Sequence, residues 1–403
     1  MKQKTVFAVL SAALLALTGC GAESSVTAET PVQTDSSPFA VYPSNTYIAT
    51  GNNYCISVPE TVSYSAYLPV EAAGEYEYCF YFSNTCDSTW GKGDVAYVGK
   101  PGSAYTVQAA SVGYAAEAQG AVLNKQTVTF SGAETKQVST GETFWSDPLT
   151  VTVPEGNYLV WTWSVQGEAI PATVMSDLAP TYAAKNGGQY IYTNEIPLPQ
   201  LIGAKRDVKK RIVTLGDSIT QGTGTPQYAN AFWAADIAQS LGSDYSLWNL
   251  GLGYSRASDC AMNGNWLKRA CHADIVTVAF GTNDMQAGQY GVGAPNAAPA
   301  IDAWCKSIVT ALQKAGCKVI LFNAPPFDLA PLNEGIRTEL NQLLPMTAQE
   351  TGAEFFDWAA FLTDSSAAGK SLYGGHPNAE GCRLIADRFL TQFDALIKDQ
   401  AGK

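Results

Sequence analysis

Three short strings in the second half of the chain hold residue types suited to acyl-transfer chemistry: Gly216-Asp217-Ser218-Ile219, Gly281-Thr282-Asn283-Asp284 and Gly375-His376-Pro377-Asn378. A serine hydroxyl becomes a nucleophile when a neighbouring imidazole takes its proton. An amide or a backbone N–H aimed at the carbonyl oxygen then stabilises the charge that develops there. Ser218, His376 and Asn283 supply a hydroxyl, an imidazole and an amide. Of the two histidines in the chain, His272 closes Lys268-Arg269-Ala270-Cys271-His272, the end of an expected exposed helix, and reads as a surface residue. That leaves His376 as the candidate base. Gly251 and Gly253, in Asn249-Leu250-Gly251-Leu252-Gly253-Tyr254, follow another apolar run, where glycine lets a backbone N–H approach a substrate oxygen closely. Taken singly, each string reads equally well as a turn.

For these residues to meet, the elements around them must end at one place. From about residue 207 the pattern alternates strand and helix. Ile212–Leu215, Tyr245–Leu250, Ile275–Phe280, Val319–Phe322 and Glu354–Asp357 are short apolar runs without alternation, as expected of strands buried on both faces. Ile301, Trp304, Cys305, Ile308 and Leu312 recur on one helical face, and a last helix should start after Asn378, an N-cap residue, presenting Cys382, Ile385, Phe389, Phe393 and Leu396. The pattern predicts a five-stranded parallel sheet with helices on both sides, where ligands bind at the carboxyl ends of the strands. Ser218, Gly253 and Asn283 follow the first three strands, and His376 opens the last helix, so all can reach one edge.

Residues 39–200 read differently. Runs such as Tyr76–Phe82, Thr127–Phe130, Leu149–Val153 and Tyr158–Trp163 alternate with polar residues and are punctuated by turn strings such as Pro154-Glu155-Gly156-Asn157. They predict an antiparallel all-β sandwich ahead of an α/β domain at 207–400. The basic run Lys205-Arg206, Lys209-Lys210-Arg211 between them reads as a solvated linker.

With 403 residues, 46% hydrophobic and 15% charged, the chain has material for two cores. Its 24 basic and 36 acidic residues give a net charge of −12, which argues against a nucleic-acid partner. Met1-Lys2-Gln3-Lys4 followed by an apolar stretch to Leu17 predicts a signal peptide over 1–19. Leu17-Thr18-Gly19-Cys20 resembles a bacterial lipobox, which implies lipidation of Cys20, anchoring to the outer face of the cell membrane, and a flexible tether over 20–38. The cysteines beyond Cys20 fall as Cys55, Cys79 and Cys86 in the first domain and Cys260, Cys271, Cys305, Cys317 and Cys382 in the second. Export permits disulfides, and Cys260 with Cys271 is the first pairing to expect. No Cys-x-x-Cys pair occurs, so neither a zinc site nor another metal or cofactor is expected.

Gly-Asp-Ser-Ile, Asn-x-Gly-x-Gly, Gly-Thr-Asn-Asp and His-Pro-Asn, in this order, resemble the motif blocks of the SGNH (GDSL) hydrolase superfamily over roughly 207–400. The strings Phe82-Ser83-Asn84-Thr85, Val128-Thr129-Phe130-Ser131-Gly132 and Trp145–Val151 resemble the β-sandwich of a secreted bacterial subgroup associated with esters on plant polysaccharides. The resemblance implies a flavodoxin-like three-layer α/β/α fold. It also implies Ser218 as nucleophile, His376 as base, and an oxyanion hole from Asn283 and a backbone N–H of Gly253 or Tyr254. An O-acylated polysaccharide or oligosaccharide would be the substrate. Where the family has an aspartate three residues before the histidine, this chain has Tyr373. Three arrangements stay open: a backbone carbonyl orients His376, Asp364 or Asp357 does so, or the site is weak. In the last case the protein would be a glycan-binding lipoprotein, with Trp90, Trp145, Trp161 and Trp163 as candidate stacking residues.

Overall fold

The computed structural model describes residues 37–87, 98–261, 264–286, 294–362, 371–372 and 375–399. The expected signal peptide, Cys20 and nearly all of the tether lie outside the described residues, as do Trp90, Asp364 and Tyr373. The described chain starts at Ser37, whose hydroxyl caps the short helix Pro38–Val41.

The front half forms two antiparallel sheets. The larger contains β1 (Tyr54–Pro69), β3 (Tyr105–Ala115), β4 (Leu123–Thr127), β5 (Lys136–Val138), β8 (Tyr158–Val174), β9 (Thr181–Lys185), β10 (Ile191–Tyr192) and β11 (Glu195–Ile196). The smaller contains β2 (Gly74–Ser83), β6 (Thr143–Trp145), β7 (Leu149–Val153) and β12 (Leu201–Ala204). Alternate residues of β2 and β8 point inward, and their rings meet between the sheets. Phe80 lies 4.7 Å from Trp161, and Phe82 lies 5.4 Å from Trp163. Trp161 and Trp163 are therefore core residues, and burying such a ring removes more apolar surface from water than any other side chain could. Trp145 is half-buried with its ring 4.9 Å from Phe39. Trp161 and Trp163 are thus packed inside, where no sugar can stack on them.

Two local expectations shift. Regular pairing ends at Thr127, where Thr127–Phe130 was expected to be a strand, because the Asp147 carboxylate takes the Thr129 hydroxyl at 2.6 Å and the Gly132 N–H at 2.7 Å and draws the chain into a turn. At the other end, sandwich pairing continues past residue 200 into β12, which runs antiparallel to β2.

The second half is a parallel sheet in the order β14 (Ser246–Gly251), β13 (Arg211–Gly216), β15 (Ile275–Ala279), β16 (Lys318–Phe322) and β17 (Glu354–Phe356). Its residues alternate between two cores. Val213, Leu215, Val276 and Val278 pack with Ile301, Cys305 and Ile308 of the helix Ala298–Lys314 and with Leu340 and Leu344 of Pro331–Thr351. Ile212, Ile275 and Phe322 face Trp233 and Ile237 of Trp233–Leu241 and Ile385 and Phe389 of Ala379–Gln392. This is the three-layer α/β/α arrangement. Asn378 caps the last long helix by accepting from the Gly381 N–H at 3.0 Å. That helix breaks at Phe393, and Ile397 takes the buried place expected of Leu396.

Sandwich and α/β layers cluster as one compact unit from Ser37 onward. Within the basic run, Lys205 and Lys209 are exposed as expected of a solvated linker, but Arg206 is part of the seam. Arg206 donates to the carbonyls of Ser44, Ser243 and Tyr245 at 2.7–2.9 Å and pairs with Glu71, with only 3% of its side chain exposed. Burying a guanidinium requires that its charge be paired in this way. The helix carrying Arg269, Asn265–Ala270, is likewise largely buried, and His272 beyond it is half-buried and stacked 4.5 Å from the Phe39 ring. All the described cysteines are free thiols. The expected Cys260–Cys271 disulfide is not formed; Cys260 is wholly buried in an apolar core and Cys271 only partly.

Candidate active site

Parallel register brings the carboxyl ends of the first three strands together: Gly216 lies opposite Gly251 on one side and Ala279 on the other. Each strand then hands the chain to one of the singled-out strings. After β13, Asp217 caps the helix Ser218–Gln221 by accepting from the Ile219 N–H at 2.9 Å, so Ser218 is its first residue. Burial pushes the Asp217 carboxyl up to about 7. A serine at a helix start has its backbone N–H pointing out of the helix, toward any ligand that approaches its hydroxyl.

His376 arrives from the far end of the chain. It sits in β19 (His376–Pro377), paired antiparallel with β18 (Ser371–Leu372), so that His376 lies opposite Leu372. The Phe327 ring stands edge-on 4.9 Å from the imidazole. Gly224, with φ +98°, backs against it: a Cβ there would lie 2.6 Å from the His376 Cβ. So held, His376 Nε2 stands 2.8 Å from Ser218 Oγ. Both residues are half-buried, which leaves the pair open to a ligand. For Nε2 to accept the serine proton, Nδ1 must carry the ring hydrogen.

Asn283, in the short helix Thr282–Met285 after β15, donates one amide hydrogen to the Ser255 carbonyl at 2.9 Å. A primary amide has a second hydrogen to offer. Asp284 beside it is buried and accepts from the Ala257 N–H at 2.9 Å, and burial raises its carboxyl to about 7. After β14, Gly253 donates its N–H to Gln221 Oε1 at 3.1 Å. The next residue, Tyr254, has φ +64°. Of the two backbone donors expected here, Gly253 thus directs its N–H to a partner within the chain.

Asp357, at the end of β17, is exposed and takes the Asn323 amide at 2.7 Å and the Ala360 N–H at 3.0 Å through one oxygen, a turn-capping arrangement. Two polar residues at this edge carried no signal of their own. Gln221 and Asn53 look like ordinary loop residues in sequence. Asn249 locks the loop start, accepting from the Gly251 N–H at 2.8 Å and donating to the Thr220 carbonyl at 3.1 Å.

A serine hydroxyl on an imidazole, at the carboxyl edge of a parallel sheet and beside a side-chain amide, is the geometry of a serine hydrolase. Residues 214–384 match the GDSL-like lipase/acylhydrolase family, a match that supports a carboxylic ester hydrolase domain here. Solved structures similar to it include an aryl esterase from M. smegmatis, with 20% identity, TM-score 0.40, and 46% of this chain and 99% of the other covered. An acetyl xylan esterase matches with 19% identity, TM-score 0.38, and 45% and 98% covered. A carbohydrate acetylesterase from Sinorhizobium meliloti matches with 20% identity, TM-score 0.38, and 46% and 99% covered. No curated protein matches the sequence.

Proposed function

We propose that the protein is a lipid-anchored, extracytoplasmic serine esterase that removes small acyl groups, acetyl foremost, from a carbohydrate through an acyl-Ser218 intermediate. The observation that carries the reading is the 2.8 Å approach of Ser218 Oγ to His376 Nε2. His376 takes the hydroxyl proton as Ser218 Oγ attacks the ester carbonyl. The oxyanion is held by the N–H groups of Ser218 and Tyr254 and by the Asn283 amide. His376 returns the proton to the leaving alcohol, and the acyl-enzyme forms. Water, activated by the same imidazole, then releases the acid and restores Ser218. The carbohydrate alcohol is supported by the resemblance of the front-half strings to the sandwich of polysaccharide-directed esterases. The anchor is supported by Leu17-Thr18-Gly19-Cys20.

Turnover of p-nitrophenyl acetate tests the chemistry. Ser218→Ala should lose about 10^6-fold in kcat, the scale seen when a hydrolase nucleophile is removed. Equal rates in wild type and variant would refute the reading. Acetate release from acetylated xylan, set against an acetylated peptide, tests the substrate class. Retention in the membrane fraction, lost in Cys20→Ala, tests the anchor.

A further inference from the structure

The sandwich reaches the reaction edge through Val174 and Asn53. Val174, the last residue of β8, offers both of its backbone groups there. Its N–H donates to Asn53 Oδ1 at 2.9 Å, and its carbonyl accepts from Gln221 Nε2 at 2.7 Å. Each side chain then passes the contact on to Gly253. Asn53 Nδ2 donates to the Gly253 carbonyl at 3.1 Å, and Gln221 Oε1 accepts from the Gly253 N–H at 3.1 Å. Val174, Asn53, Gly253 and Gln221 thereby form a closed ring of hydrogen bonds. Asn53 is fully buried, and its own N–H is fixed on the Ala172 carbonyl at 2.8 Å. Gln221 belongs to the helix that begins at Ser218.

A peptide unit is planar and trans, so its C=O and N–H point in opposite directions. The carbonyl of Gly253 and the N–H of Tyr254 are two ends of one such unit. Whatever holds that carbonyl also aims that N–H. A donor on the carbonyl polarises the unit as well, which makes its N–H the stronger donor. Tyr254 needs the support, because φ +64° is a conformation that side chains other than glycine adopt at a cost.

We propose that Asn53 and Gln221 are positioning residues that aim the Tyr254 N–H at the oxyanion, and that the sandwich is a structural part of the esterase site. The proposal rests on the esterase reading above. It assigns the front half a role in the chemical step through its contact with the loop, independent of any glycan bound there.

The test compares wild type with Asn53→Asp and Gln221→Glu in the full chain, using p-nitrophenyl acetate and a boronic acid that forms a tetrahedral anion on Ser218. Asn53→Asp keeps the acceptor for Val174 and sets a carboxylate oxygen against the Gly253 carbonyl. Gln221→Glu keeps the acceptor for Gly253 and loses the donor to Val174. Each should lower kcat about 10- to 100-fold, somewhat below the loss from deleting an oxyanion donor outright. KM should stay within about twofold, and boronate affinity should fall by the same factor as kcat, because only the tetrahedral state uses the aimed N–H. Folded variants with wild-type kcat and boronate affinity would overturn the proposal, as would a loss confined to melting temperature. Should one variant not fold, the other decides by the same readouts. Failure of the esterase reading itself looks different: wild type would then show no turnover dependent on Ser218.

Discussion

Asp87 and Arg269 face each other across the seam between sandwich and α/β layers, carboxylate to guanidinium at 2.7 Å, with 2% of each side chain exposed. Asp87 comes from the loop after β2 and also accepts from the Asn52 N–H at 3.3 Å, next to the Asn53 that grips Gly253. A buried ion pair of this kind adds little net stability over an apolar pair of equal volume, but removing one partner strands the other charge. Asp87→Ala should therefore cost about 3–5 kcal/mol in urea unfolding. The double variant Asp87→Leu/Arg269→Met should recover most of that loss. A double variant as unstable as the single one would show that the stranded guanidinium is not the cause.

Gly224 ties backbone conformation to the base. At φ +98°, any side chain is strained, and a methyl group would press on His376 2.6 Å away. Displacing a catalytic group by even an ångström can cost about 100-fold. Gly224→Ala should lower kcat by about 10- to 100-fold with a stability loss of only about 1 kcal/mol. Gly187→Ala separates the two effects. Gly187 has φ +72° with nothing within 4 Å, so alanine there should lose similar stability and no activity. Parallel losses of activity in both variants would remove His376 displacement as the explanation.

The candidate catalytic strings were legible because each is local: an apolar strand, a glycine or cap, then a polar residue at the turn. Period and punctuation then sufficed to place Ser218 and Asn283 at the ends of neighbouring strands, and the register of Gly216 with Gly251 and Ala279 follows from a parallel sheet. What stayed hidden depends on contacts across long separations. Asn53 and Gly253 are 200 residues apart, and nothing near either one encodes their hydrogen bond. Arg206 looked solvated because its neighbours are charged, whereas its partners Glu71 and Ser44 lie far upstream. Proximity in sequence also misled with cysteine: Cys260 and Cys271 span one loop yet remain free thiols, whereas Cys55 and Cys86 come together from separate strands' ends.

Those two thiols lie 3.4 Å apart, sulfur to sulfur. The Cys86 thiol, hydrogen-bonded to Cys55, lowers the pKa of Cys55, and the same contact and burial raise that of Cys86. A half-buried thiol with more thiolate character is the one to attack a disulfide reagent first. With oxidised glutathione as oxidant, the Cys55 thiolate should attack one reagent sulfur and release one glutathione thiolate. Cys86, deprotonated, should then attack the Cys55 sulfur of the mixed disulfide and release the second glutathione thiolate, leaving an intrachain bond. Closing the loop between them, a sequence separation of 31, restricts the unfolded chain and should stabilise the fold by about 3–4 kcal/mol. Peptide mapping after alkylation should show the two cysteines protected and linked in oxidised wild type, with the melting temperature raised. Cys86→Ser should instead hold a stable glutathione adduct on Cys55 and show no such rise. Oxidised wild type in which both cysteines still alkylate would mean that the two sulfurs do not approach in solution as they do here.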